Sequence, residues 1–279
     1  VRSICTTAKE VSNYFTIRYD LKDFSTNKYY LCYLLQTKEA VMSFTFKHFH
    51  INDERCAMKV GTDGVLLGAW AEVADAKSIL DIGCGCGLIS LMAAQRSPKG
   101  NVLGIEIDSE ATVDAINNVK NSPYSNRITI TCTDALQFAQ TATSKFDCIL
   151  SNPPYYEEDV LPPSVSRAQA RHTAGGGLTF NALLRCVSLL LDYTNKKARF
   201  CVILPTVAST HFICSASIYG LSLIHQTDIV TRPQKPCKRV LLCFSPTPSS
   251  LKYNQLVLID KNGGRSEQYR TLCKDFYIK

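Results

Sequence analysis

"KSILDIGCGCGLIS", residues 77–90, decides the fold. A short apolar run, Ile79 to Ile82, passes without a linker into three alternating glycines, Gly83, Gly85 and Gly87, and then into "GLISLMAAQRS", whose apolar residues recur at helical spacing. Glycine belongs where the backbone turns tightly or lets a ligand approach closely. The spacing is G-x-G-x-G, not the G-x-G-x-x-G of dinucleotide folds. Taken alone, the triplet is equally an ordinary strand-to-helix turn. Asp81 sharpens it, because it sets an acid at the end of the strand, facing whatever the glycines admit.

The same alternation continues downstream. "NVLGIEID" reads as a strand and "SEATVDAINNVKNS" as a helix opened by Ser109 as N-cap. "RITITCTD" is a strand, "ALQFAQTA" a short helix, and "FDCILSNPP" a strand ending in prolines. A polar stretch at 156–177, expected to be a mobile loop, precedes the helix "TFNALLRCVSLLLD", the strand "ARFCVILP" and a helix near 206–218. "LSLIHQTDIVTRP" and "KRVLLCFSPT" then form a strand pair around a Pro-rich basic loop. Strand–helix repetition of this kind predicts an α/β fold, a mostly parallel sheet with helices on both faces.

Two further acids end strands beside the glycine turn. Glu106, in "GIEID", falls about twenty residues beyond the glycines, where a carboxylate can accept both hydroxyls of a ribose. Asp134, in "CTDALQF", ends the next strand and can bind an adenine amino group. For Glu106 the bland alternative is a helix-capping or surface acid, with Asp108 as another candidate for that role. Three acids on three successive strand ends, around one glycine turn, favour a nucleoside site.

The bulk properties set limits. The 279 residues are 46% hydrophobic, enough for one large domain with or without an appendage. No run of about 18 apolar residues occurs, so no membrane span is expected, and the first residues lack the apolar stretch of a signal peptide. Thirteen cysteines without a CxxC pair, many inside apolar strands, fit reduced buried thiols in a cytoplasmic protein. Five histidines show no ligand spacing with them, so no metal is expected. The charge of +7 permits an anionic partner, and much of it falls in "TRPQKPCKR", residues 231–239. Residues 1–41 lack periodicity. The folded domain is expected at 42–279, with 1–41 an extension, either a disordered lineage-specific tail or the product of an upstream start.

"LDIGCGCG", "GIEID", "TDAL" and "SNPPY", in this order, resemble the class I S-adenosylmethionine-dependent methyltransferases. The resemblance implies a Rossmann-like, seven-stranded sheet. It implies that Asp81, Gly83, Gly85 and Gly87 hold the methionine part of the cofactor, Glu106 the ribose and Asp134 the adenine. Cys84 and Cys86 stand where small residues are usual and receive no redox role. With a methyl donor at this edge, "SNPPY" gains a chemical meaning. An exocyclic amine is a poor nucleophile because its lone pair is delocalised into the ring. Two acceptors for its N–H groups, the Asn152 side-chain oxygen and the Pro153 carbonyl, favour lone-pair character and align it. Pro153 and Pro154 fix φ, and Tyr155 stacks on the base, worth roughly 1–3 kcal/mol.

The clamp specifies a planar amine or amide and leaves the substrate open among adenine, guanine, cytosine and protein glutamine. "FTFKHFHINDERCAMKVGTDGVLLGAWA", "SRAQARHT", "TRPQKPCKRVLLCF" and "SEQYRTLCKDFYIK" resemble the bacterial tRNA1(Val) (adenine-N6)-methyltransferase family, from about Phe44 to Lys279. That family methylates the adenine 3′ of the anticodon. The resemblance implies a tRNA partner; the oligomeric state is left open, with a monomer favoured. It implies that Lys59, Thr62 and Asp63 close over the cofactor. It implies that Arg167, Arg171 and His172 meet RNA or the flipped base, and that Arg232, Lys235, Lys238 and Arg239 bind phosphate. A glutamine methyltransferase, a ribosomal RNA guanine-N2 enzyme and a non-catalytic RNA-binding protein remain as alternatives.

Overall fold

The computed structural model describes residues 43–154 and 178–278. The expectations for residues 1–41 and the 156–177 loop, and for Tyr155, Arg167, Arg171 and His172, lie outside the described residues.

Five parallel strands form one side of the main sheet: β3 (Ser78–Ile82), β4 (Asn101–Glu106), β5 (Ile128–Cys132), β6 (Cys148–Ser151) and β7 (Arg199–Pro205). The other side holds β8 (Ser222–Val230), β9 (Arg239–Ser245) and β10 (Lys252–Val257). The order across the sheet is β10-β8-β9-β7-β6-β3-β4-β5, with β9 antiparallel to both of its neighbours. A separate hairpin, β1 (Ser43–Thr45) and β2 (His50–Asn52), precedes them.

The central strands read as continuous apolar runs because both faces are covered. In β7, Phe200, Val202 and Leu204 join the core on one face, while Cys201 and Ile203 join the core on the other. The helices α1 (Thr62–Trp70), α2 (Leu88–Arg96) and α3 (Ser109–Lys120) pack on the second face. The first receives α4 (Ala135–Thr141), α5 (Phe180–Leu190) and α6 (Thr206–Ile218). The last helix, α7 (Glu267–Leu272), adds Tyr269 to the core shared with α1. The hairpin is tied in by Phe46, stacked on Tyr277, and by Lys47 N donating to the Phe276 carbonyl at 2.8 Å. The cysteines of the described residues are free thiols. No helix among them is long and apolar enough to cross a membrane.

The α/β class, the mostly parallel sheet and the β8–β9 pair are as expected. The count of seven strands is not, because β10 adds an eighth, parallel to β8. Its segment, "KYNQLV", exposes its first four positions. It is held by backbone pairing at an edge, which leaves little apolar signal to detect. The cap of α3 also differs. Asp108, not Ser109, is the N-cap, and its side chain accepts from the backbone N–H groups of Glu110 and Ala111. Glu106 Oε1 accepts from the N–H groups of Ile107 and Asp108, which turns the chain one residue earlier than the sequence suggests.

Candidate active site

The carboxyl ends of β3, β4, β5 and β6 lie side by side. Ile82 is register partner to Ser151, and Glu106 to Cys132. Gly83 and Asn152 therefore leave neighbouring strands at one level, about 5 Å apart across the ladder.

The glycine turn is strained in the way glycine alone tolerates. Gly83, Gly85 and Gly87 have φ of 71°, 53° and 83°. A Cβ placed on Gly83 or Gly85 would meet nothing within 4 Å, so these two face open space. One on Gly87 would lie 3.5 Å from Ala115, which makes this the glycine that lets α3 approach the turn. Open space beside two bare glycines fits a ligand that comes close to the backbone.

The acids around the turn have separate settings. Asp81 is fully buried; Ser90 Oγ donates to its Oδ2 at 2.7 Å, and its Oδ1 has no partner. Burial raises its pKa to about 7, a shift that the Ser90 hydrogen bond opposes and the Glu106 carboxylate reinforces. Glu106 Oε2 accepts from Gly85 N at 2.8 Å, so this acid also shapes the glycine turn. With Ile107 N and Asp108 N on Oε1, three of a carboxylate's about four acceptor positions are taken, which leaves one, on Oε2, for a hydroxyl donor. Asp134 caps α4 through Oδ1, accepting from Gln137 N at 2.8 Å.

The clamp residues follow β6 directly. Ser151 Oγ donates to the Ile82 carbonyl at 2.9 Å and locks β6 to β3 just before Asn152. Pro153 is buried and Pro154 half-buried. Asn152 Nδ2 lies 3.8 Å from Met58 Sδ. Met58 belongs to the segment before α1, which folds over this edge. Lys59 Nζ is turned back within it, donating to the carbonyls of Asp53 and Glu54 at 2.7 and 2.9 Å. Thr62 opens α1 on an exposed turn. Asp63 pairs with Arg239, its Oδ2 accepting from Nε at 2.9 Å.

Of the basic loop, Arg232, Lys235 and Lys238 are exposed, whereas Arg239 is partly buried against α1. The loop is a tight turn, with Lys235 N donating to the Arg232 carbonyl and Gln234 at φ 66°. Among the described residues no group of three or more His, Cys, Asp or Glu could hold a metal ion.

Sequence reasoning missed the residues that fasten the covering segment. Asn118, buried in α3, donates to the carbonyls of Asn52 and Cys86 and accepts from Asn52 N. Asp114, one turn earlier, binds Arg55 through both its backbone N–H and its guanidinium. A signal existed: polar residues four apart on the helix face that also carries Ala111 and Ala115 are out of place unless partnered.

A family model described as "Methyltransferase small domain" matches residues 59–183. The tRNA1(Val) (adenine(37)-N6)-methyltransferase of Yersinia pestis (strain Pestoides F) is 43% identical over 236 residues, 84% of this chain and 93% of that protein. The protein of the same name from Yersinia pseudotuberculosis (serotype O:1b) matches equally. Among solved structures, a predicted O-methyltransferase from Agrobacterium tumefaciens has a TM-score of 0.59 at 18% identity, over 77% of this chain and 96% of that one. A putative transferase from Pyrococcus horikoshii has a TM-score of 0.50 at 14% identity, over 73% and 70%.

Proposed function

This chain belongs to the tRNA1(Val) (adenine(37)-N6)-methyltransferase family, and from that premise we propose that it methylates N6 of the adenine 3′ of the anticodon in a tRNA, with S-adenosylmethionine as donor. When bound, S-adenosylmethionine supplies an electrophilic methyl group. The observation that carries this reading is the juxtaposition of Gly83 and Asn152 on adjacent parallel strands, a ligand cradle beside an amine clamp.

The chain's own residues then have distinct tasks. Gly83 and Gly85 present bare backbone to the cofactor, and Gly87 seats α3 against the turn. Glu106 offers its one remaining acceptor position, on Oε2, to a ribose hydroxyl, while Asp134 offers its second oxygen to an amino group. Asp81 keeps a buried, unpartnered oxygen that suits a cationic donor. Asn152 and Pro153 provide acceptors for the two N–H groups of the target amine. Pro153 and Pro154 hold those acceptors in place at small entropic cost, and Tyr155 supplies the stacking surface. No strong base is needed, because the nitrogen becomes acidic once alkylated. Arg232, Lys235 and Lys238 give the RNA backbone a cationic contact, and Arg167, Arg171 and His172 meet RNA phosphate or the flipped base. The anticodon loop presents unpaired bases, so extruding one costs less than in a duplex. This reading puts the enzyme in the cytoplasm with its tRNA.

Incubation with methyl-labelled cofactor and bulk tRNA, followed by nucleoside identification, tests it. Label should appear in N6-methyladenosine. Label in guanine or in protein glutamine would overturn the substrate. Asn152→Ala should abolish transfer while leaving cofactor affinity within a few fold, and unchanged turnover would sink the clamp.

A further inference from the structure

Four basic residues share the loop and strand start at 232–239, but one of them faces inward. Arg239 is the first residue of β9, in register with Pro205 on one side and Ile229 on the other. Its Nε donates to Asp63 Oδ2 at 2.9 Å, with the two side chains 35% and 30% exposed. Its Nη1 also donates to the Lys238 carbonyl at 3.1 Å. Lys238 O in turn accepts from Thr206 N, which fastens the root of the loop to α6.

Asp63 stands in the first turn of α1. That helix starts at Thr62, with Gly61 at its N-cap and no side-chain cap, and the ion pair ties its start to β9 of the sheet. The next residue, Gly64, packs against the site. A Cβ there would lie 3.0 Å from Leu88 Cδ2, at the start of α2, and 4.0 Å from Asn152 Nδ2. The first turn of α1 thus covers both the helix that follows the glycine turn and the clamp amide.

We propose that Asp63 and Arg239 are a positioning pair that holds the first turn of α1 over Asn152, so that Arg239 acts on the alignment of the target amine and not as a phosphate ligand. The proposal rests on the methyltransferase reading above and assigns two of its residues a different task. A displacement of about 1 Å at a reacting centre can cost up to a hundredfold in rate, whereas loss of one phosphate contact weakens binding and lowers the salt slope by about one.

The test is a double-mutant cycle of Asp63→Asn and Arg239→Gln, with Arg239→Lys as the conservative variant. Three measurements are made on the full chain: kcat and tRNA KM, the salt dependence of tRNA binding, and hydrogen exchange at Val65 to Leu67. Each single variant should lower kcat about tenfold or more, with tRNA KM within about twofold and the salt slope unchanged. The double variant should be no worse than either single, and Arg239→Lys should recover part of kcat. Exchange in the first turn of α1 should quicken equally in all three neutral variants. A raised KM with unchanged kcat and a shallower salt slope in Arg239→Gln alone would overturn the proposal in favour of a phosphate ligand. Loss of cofactor affinity in Asp63→Asn alone would overturn it in favour of a cofactor ligand, and additive losses would overturn the pairing. If the native chain labels no tRNA, the substrate reading fails; the exchange measurement still decides the pair, because unchanged protection in both single variants would refute it.

Discussion

Replacing Asp81 with Asn should remove a fall in stability with rising pH in the cofactor-free protein. Asp81 is fully buried, with one oxygen on Ser90 and the other without a partner. Burial lifts its pKa from the ordinary 3.8 to about 7. A carboxyl whose folded pKa lies above its unfolded value binds more protons in the folded state, so stability falls as pH rises between the two values. Integrated, this costs roughly 2 kcal/mol at pH 5 and about 4 kcal/mol at pH 8. Asn carries no such charge, and its oxygen can keep the Ser90 hydrogen bond. Its amide N–H groups take the unpartnered position, which costs about 1–3 kcal/mol at every pH. The variant should therefore exceed the native protein in stability by about 1–3 kcal/mol at pH 8 and lie within about 1 kcal/mol of it at pH 5. Denaturant unfolding of both proteins from pH 5 to 8 measures the difference, which should change by about 2–3 kcal/mol in the variant's favour. On the proposed function the same substitution should weaken cofactor binding, because a cationic donor group would meet the buried charge. Parallel stability curves for the two proteins would refute the assignment of Asp81 as a carboxyl strained by burial.

Asp108→Ala should cost about 1 kcal/mol through loss of the α3 cap, while Ser109→Ala should be near neutral; thermal unfolding compares the two directly. Lys235→Glu with Lys238→Glu should weaken tRNA binding and reduce the slope of log affinity against log salt by about 1.4 if both meet single-stranded phosphates; an unaltered slope would leave the loop as ordinary surface. Removal of residues 1–41 should leave the unfolding midpoint and the cofactor affinity unchanged within error, since the domain is placed at 42–279; loss of cooperative unfolding would show that the boundary is misplaced.

Much of this architecture was legible because its signals are local. "KSILDIGCGCGLIS" carries a strand, a turn that demands positive φ and a helix within fourteen residues, and each part constrains the next. The buried central strands announced themselves through unbroken apolar runs. What escaped depends on partners distant in the chain. β10 is a strand because β8 offers an unpaired edge, not because "KYNQLV" is apolar. Asp108 and Ser109 are both good caps, and the choice between them was made by Glu106 pulling in two backbone N–H groups. Arg239 looked like one more cation in a basic run. Its inward turn depends on Asp63, 176 residues earlier, and no periodicity reports such a pair.

One strand's direction accounts for the meeting of the basic loop and the candidate site. β7 and β8 both run toward the edge where Gly83, Glu106 and Asn152 emerge. Between them β9 runs the opposite way. A strand that leaves β8 at that edge and returns antiparallel needs only a short connection, whereas a parallel return would need a crossover of a dozen or more residues. The connection at 231–238 is therefore confined to the carboxyl edge, and its length keeps it within reach of α1. Its basic residues are then divided by pleat and position. Arg232, Lys235 and Lys238 lie in the turn itself and face solvent, while Arg239 is the first residue of the ladder and is directed at Asp63. An exposed cationic surface and the proposed anchor for the helix over Asn152 thus come from the same few residues, separated only by where the turn ends and the strand begins.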